Sequence, residues 1–194
     1  MDFFKKLFKT SSKEDDSVQN QAVKLTLDDL FVHKFVEKGG KFLYCTNKEE
    51  VVDNFEKVLL ENNWNEIHLL DKRLVGLCNQ NHIDLLDKFK EQTPILTTCE
   101  HLIADNGDIL FSSNQLRSTR LQEFPDNFIV FATTSQLVKD TGQGLTGIKI
   151  NHKSSLPTNI CSVKNYNINK SDDNFLNYGN NNSKNLYLLL LEDL

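Results

Sequence analysis

KFLYCTNKEEVVDNFEKVLLENNWNEIHLL, residues 41–70, reads as strand, helix, strand. Four of its first five residues, Phe42 to Cys45, are apolar or aromatic, as a buried strand requires. Thr46 followed by Glu49 matches a helix capping box. Val51, Val52, Phe55, Val58 and Leu59 then recur at the helical period and give the helix one buried stripe. EIHLL (66–70) is the second strand. Two strands joined through a helix of this length run parallel, because only a crossover connection can link them.

The same alternation extends outward. Upstream, Leu27, Leu30, Phe31, Lys34 and Phe35 follow a helical period, and Gly39-Gly40 supplies the stop. Downstream, a helical stretch begins near Asp71, breaks at NQN (79–81) and resumes at Ile83, Leu86 and Phe89. PILTT (94–98), NFIVFAT (127–133) and LYLLLL (186–191) read as further strands. Their continuous apolar runs fit burial on both faces. Between them, EHLIAD turns through Asn106-Gly107 into DILFSS, a hairpin signal. NYGNNNS (177–183) reads as a loop before the last strand. The expected fold is three-layer α/β, with a mostly parallel sheet and one inserted hairpin.

The chain has 194 residues, enough for one domain with a real core, placed at residues 23–194. Residues 1–22 read as a flexible tail. In it Phe3, Phe4, Leu7 and Phe8 share a helical face beside Lys5, Lys6 and Lys9, so residues 2–9 form a basic amphipathic segment suited to weak contact with a membrane surface or a partner. TSSKEDDSVQNQ (10–21) has the composition of a linker. A net charge of −5 argues against nucleic-acid binding. No apolar run approaches the length of a bilayer span, and lysines interrupt any signal-peptide core, so a cytoplasmic protein is expected. The four cysteines form no CxxC pair and the histidines no HExxH, so no metal site and no cofactor are expected.

Three stretches could carry chemistry. GQGLTG (142–147) is formally GxGxxG, but TSQLVKDT separates it from the preceding strand, where a dinucleotide fingerprint needs direct contact. Leu137, Val138, Thr141, Leu145 and Ile148 place one helical face across it, with an end near Gly142 as the alternative. Cys99 and His101 share a strand face, which suits a buried thiol beside a satisfied histidine better than a nucleophile and its base. In the third, Asp105, Asn106, Gly107 and Asp108, Asn-Gly favours a two-residue turn with positive φ at both positions. The flanking aspartates are unusual at strand ends, and a carboxylate beside the buried run LIA needs hydrogen-bond partners or a ligand.

LIADNGDILFSS, FPDNFIVFATTSQLV, GNNNSKNLYLLLLEDL and LFVHKFVEKGGKFLYC resemble segments of the lactate-utilisation (LUD) domain family, the third-component type of a bacterial lactate-oxidation operon. The resemblance covers about residues 25–194. It implies a fold like that of the sugar-phosphate isomerases and coenzyme A transferases. In those transferases a Glu-Asn-Gly triplet carries the nucleophilic carboxylate, and Asp105-Asn106-Gly107 is similar but one methylene shorter. The resemblance thus implies Asp105 as a catalytic residue and Asn106, Gly107 and Asp108 as ligand contacts. Arg117 or Arg120 loosely matches a basic residue that the family carries before its Leu-Pro. The family's Gly-Pro-Ser-Lys/Arg-Thr-Ala-Asp-Ile-Glu stretch is replaced by YNINKSDDNFLNYG. The implied function is an accessory or small-molecule-binding protein that supports lactate or other organic-acid utilisation. Its expected partners are iron–sulfur redox proteins and a small anionic ligand. The alternative is an enzyme acting on an acyl thioester or phosphorylated small molecule, with Asp105 as nucleophile or base.

Overall fold

The computed structural model describes residues 25–167 and 182–193. The tail at 1–22, with its amphipathic segment, and most of the 177–183 loop lie outside the described residues.

Six strands form the main sheet: β1 (Lys41–Cys45), β2 (Glu66–Leu69), β3 (Asp84–Leu85), β4 (Ile95–Thr98), β7 (Asn127–Thr133) and β10 (Asn185–Leu191). Their order is β1-β10-β7-β4-β2-β3, and every neighbouring pair is parallel. The two central strands explain the apolar runs. Phe128, Val130, Ala132, Leu186, Leu188 and Leu190 enter one core, whereas Ile129, Tyr187 and Leu189 enter the other. Helices α2 (Lys48–Asn62) and α3 (Val75–Gln80) cover the second face. On the first face lie α1 (Leu27–Glu37) and a smaller sheet. The fold is three-layer α/β with a mostly parallel sheet.

The smaller sheet grows from the inserted hairpin. Strands β5 (His101–Ile103) and β6 (Asp108–Phe111) pair antiparallel, and β8 (Leu137–Val138) and β9 (Cys161–Val163) extend them to β8-β5-β6-β9. A short helix α4 (Ser113–Leu116) follows β6, and α5 (Thr141–Asn151) packs Ile148 on Ile103, Leu110 and Val138.

Local chemistry differs from the sequence reading at four places. The first helix cap lies one residue later: Asn47 is the N-cap of α2, its Oδ1 accepts from Glu50 N at 2.9 Å, and Glu50 reaches back to Thr46 N at 2.7 Å. The helix expected to resume at Ile83 is instead the edge strand β3. His82, at φ 51°, breaks the helical path, and the unpaired edge of β2 takes up Asp84 and Leu85. Leu137 and Val138 leave the expected helix for β8, and α5 begins near Gly142 instead of ending there, capped by Asp140. The glycines of GQGLTG lie inside this helix, and one of them serves packing. A Cβ at Gly147 would come within 2.6 Å of His101 Nε2, so only glycine lets α5 lie this close to β5. The fourth difference is the hairpin turn.

Candidate functional site

Ile103 pairs with Asp108, so the hairpin loop has four residues, 104–107, and not two. Only Gly107 takes positive φ, at 70°, and its N–H donates to Ile103 O at 2.8 Å. Longer hairpin loops of this kind need a single left-handed residue, which explains glycine at 107 but not the type I′ geometry that Asn-Gly suggests. Helix α1 then presses on the turn. A Cβ at Gly107 would lie 2.5 Å from Phe35 N.

The four candidate residues have different surroundings. Asp105 is exposed at the hairpin tip, and its carboxylate has no partner among the described residues. Asn106 Oδ1 accepts from Asp108 N at 3.2 Å, closing an Asx turn. Asp108 is the buried carboxylate, and Lys38, the residue that ends α1, donates to it at 2.8 Å. Gly107 O accepts from the buried Tyr166 hydroxyl at 2.7 Å. Burial, and then the charge of Asp108, push the Tyr166 hydroxyl well above its ordinary range. Asp105, which ends the run LIA, is therefore exposed and needs no buried partner; the buried acid is Asp108, and with Gly107 it ties α1, the hairpin and the segment after β9 together.

A second polar region lies at the carboxyl ends of the parallel strands, where open α/β sheets present their ligand sites. Asp71, just after β2, accepts from Arg73 at 2.6 Å and from Thr98, at the end of β4, at 2.7 Å. Burial would raise the Asp71 carboxyl, but the hydrogen bonds from Arg73 and Thr98 win and hold it at about 2. Glu100, just after β4, is a hub. Ser112 Oγ, Asn114 Nδ2 (2.9 Å) and Gln115 Nε2 (3.2 Å) donate to Oε1, and His152 Nε2 sits 3.3 Å from Oε2. Here too burial opposes ionisation, and the four bonds lower the carboxyl below its usual range. Gln115 also caps Ser112 N at 2.9 Å in a capping box, so the hub fixes the start of α4. Gln136 donates to Cys99 O at 2.6 Å, and His101 Nδ1 lies 3.2 Å from Gln136 O. Burial, reinforced by Glu100, pushes the Cys99 thiol far up, so it stays protonated beside a histidine that is already bonded.

The end of α4 opens onto a cleft of about 380 Å³. Leu70, Phe89, Leu116 and Phe124 give it an apolar floor, and Arg117 and Lys88 bring positive charge. None of its lining residues comes from the hairpin turn. Arg117 has φ 56° and ψ −130°, a conformation that side chains strongly disfavour. Its guanidinium makes one long contact, 3.5 Å to Leu70 O, and has no carboxylate partner among the described residues. His68 places Nδ1 2.8 Å from Leu86 O. A carbonyl can only accept, so that nitrogen carries the proton and Nε2 is the ring's remaining polar atom.

The sequence reading reached Arg117 only through the family resemblance and missed Asp71, Arg73 and the hub role of Glu100. One signal for the hub was available: Ser112-x-x-Gln115 is itself a capping-box pattern. The cleft had none, because its walls come from residues 68–89 and 116–124.

The fold is similar to that of a DUF162 family protein from Deinococcus radiodurans, with a TM-score of 0.61 and 13% identity, covering 87% of this chain and 99% of that one. No family model and no curated protein matches the chain. Among the described residues, no helix is long and apolar enough to cross a membrane.

Proposed function

We propose that this is an accessory, small-molecule-binding domain of the lactate-utilisation type, which takes an organic-acid anion in the cleft at the end of α4. One observation carries the reading: Arg117 combines a strained backbone with a guanidinium free of any carboxylate partner among the described residues, at the mouth of a concave, largely apolar site. Strain of this kind persists where surrounding structure enforces it, and it gathers at ligand clamps. A guanidinium matches a carboxylate by two parallel hydrogen bonds. The DUF162 neighbour in fold and the resemblance of LIADNGDILFSS to the lactate-utilisation family support the same class. The partners proposed on this reading are iron–sulfur redox proteins, which would supply the electron chemistry.

A second reading keeps the chemistry at the hairpin. The exposed Asp105 carboxylate favours it, as the nucleophile or base of an enzyme acting on an acyl thioester or phosphorylated substrate, with Asn106, Gly107 and Asp108 as its contacts. Amide chemical-shift mapping with L-lactate and larger organic acids separates the two. Shifts clustered on His68, Phe89, Arg117 and Thr119 support the cleft. Shifts confined to 104–108 would overturn it in favour of the hairpin.

A further inference from the structure

We infer that the acid bound in the cleft is a monocarboxylate with a phenyl-sized apolar group, and not lactate itself. The inference rests on the cleft reading above and names its ligand class. At about 380 Å³, the cleft has the room of roughly a dozen liquid waters, well beyond what a three-carbon acid displaces. Its floor is aromatic. The Phe89 and Phe124 rings sit 5.1 Å apart at 40°, and the His68 ring meets Phe89 edge-on at 5.2 Å. Tilted faces at this spacing suit a third ring or a branched chain against Leu116. Lactate offers only a methyl group to that surface.

Charge selects the head group. Arg117 and Lys88 are the cations at the cleft, and Asp87, also lining it, offsets one of them. A single net positive charge suits a monoanion better than a phosphate dianion. The Arg117 and Thr119 N–H groups are already given to Ser113 O at 2.9 Å and Leu116 O at 3.2 Å, so neither is free to hold a phosphate. Beside Arg117, the Thr119 hydroxyl can donate to an oxygen next to the carboxylate, and His68 Nε2, which carries no proton, can accept from a hydroxyl there. A 2-hydroxy acid with an aromatic or branched tail meets all of these features.

The test is calorimetric titration of the full chain with L-lactate, 3-phenyllactate, inorganic phosphate and 2-phenylethanol. Each methylene-sized group buried in an apolar pocket is worth about tenfold or more, so 3-phenyllactate should bind at least tenfold more tightly than lactate. Phenylethanol and phosphate should bind weakly or not at all. Phe89→Ala should lower the affinity for 3-phenyllactate by a much larger factor than that for lactate, and Phe89→Leu should keep part of the preference. Phe89 is half-buried, and a thermal melt of each variant checks the fold. Equal affinity for lactate and phenyllactate would overturn the inference and leave the anion-binding reading intact. Phenylethanol binding as tightly as phenyllactate, tighter binding of phosphate than of either acid, or no binding by either acid would overturn both.

Discussion

Replacing Arg117 by glycine should stabilise the fold while removing the ligand. A side chain held at φ 56°, ψ −130° costs about 1–3 kcal/mol, and glycine escapes that cost. Against this stands the larger backbone entropy that glycine loses on folding, about 0.5–1 kcal/mol relative to alanine. Glycine also gives up the approach of the guanidinium to Leu70 O, which at 3.5 Å is too long to contribute much. The backbone bond from residue 117 N–H to Ser113 O, at 2.9 Å, survives the change. The difference is a gain of about 1 kcal/mol, or roughly 2–4 °C in Tm for a chain of this size. Arg117→Ala is the control, because it removes the guanidinium and keeps the strain. Thermal and urea melts should therefore place Arg117→Gly above Arg117→Ala by about 1 kcal/mol, with both equally defective in binding organic acids. If glycine is no more stable than alanine, residue 117 is not strained, and the case for a ligand clamp at the end of α4 collapses.

Four further outcomes follow from the geometry. Gly107→Ala should cost about 2–5 kcal/mol in a urea melt, because left-handed backbone and the 2.5 Å approach of Phe35 N act together; a loss under 1 kcal/mol would mean that α1 yields easily. Asp108→Ala should cost about 1–3 kcal/mol, less than a fully buried pair because Lys38 keeps 31% of its side chain exposed. Asp105→Ala should stay within about 0.5 kcal/mol, and equal losses at the two positions would contradict the difference in their burial. The Asp71 carboxyl sits at about 2, below its ordinary 3.8, so its contribution is complete above about pH 4 and fades as pH falls toward 2. Asp71→Asn should accordingly lose less stability than wild type as pH falls from about 4 to 2, and parallel pH profiles would show that Arg73 and Thr98 do not hold it.

The strands were legible where burial on both faces wrote a continuous apolar run. KFLYC and NFIVFAT have the bounds read from sequence, and the last strand adds only Asn185. Strand β3 was not, because Ile83, Leu86 and Phe89 are spaced three apart and imitate a helix face. Only the open edge of β2 makes Asp84 and Leu85 a strand. The helical face drawn from Leu137 to Ile148 failed for a similar reason: its first two residues pair with β5, a contact formed across 35 residues of chain. Local rules place glycine at 107 but not Lys38 on Asp108, since that ion pair joins residues 70 apart. Arginine carries no signal for positive φ, so the conformation of Arg117 could be seen only in the fold.

The most direct test of the cleft is equilibrium titration of wild type and Arg117→Gln with 3-phenyllactate at low ionic strength. Glutamine keeps hydrogen-bonding capacity and removes the charge. Saturable one-site binding by wild type, weakened at least tenfold in the variant with its fold intact, is the result expected if Arg117 holds the carboxylate. Unchanged affinity in the variant, or no saturable binding by wild type, would contradict it.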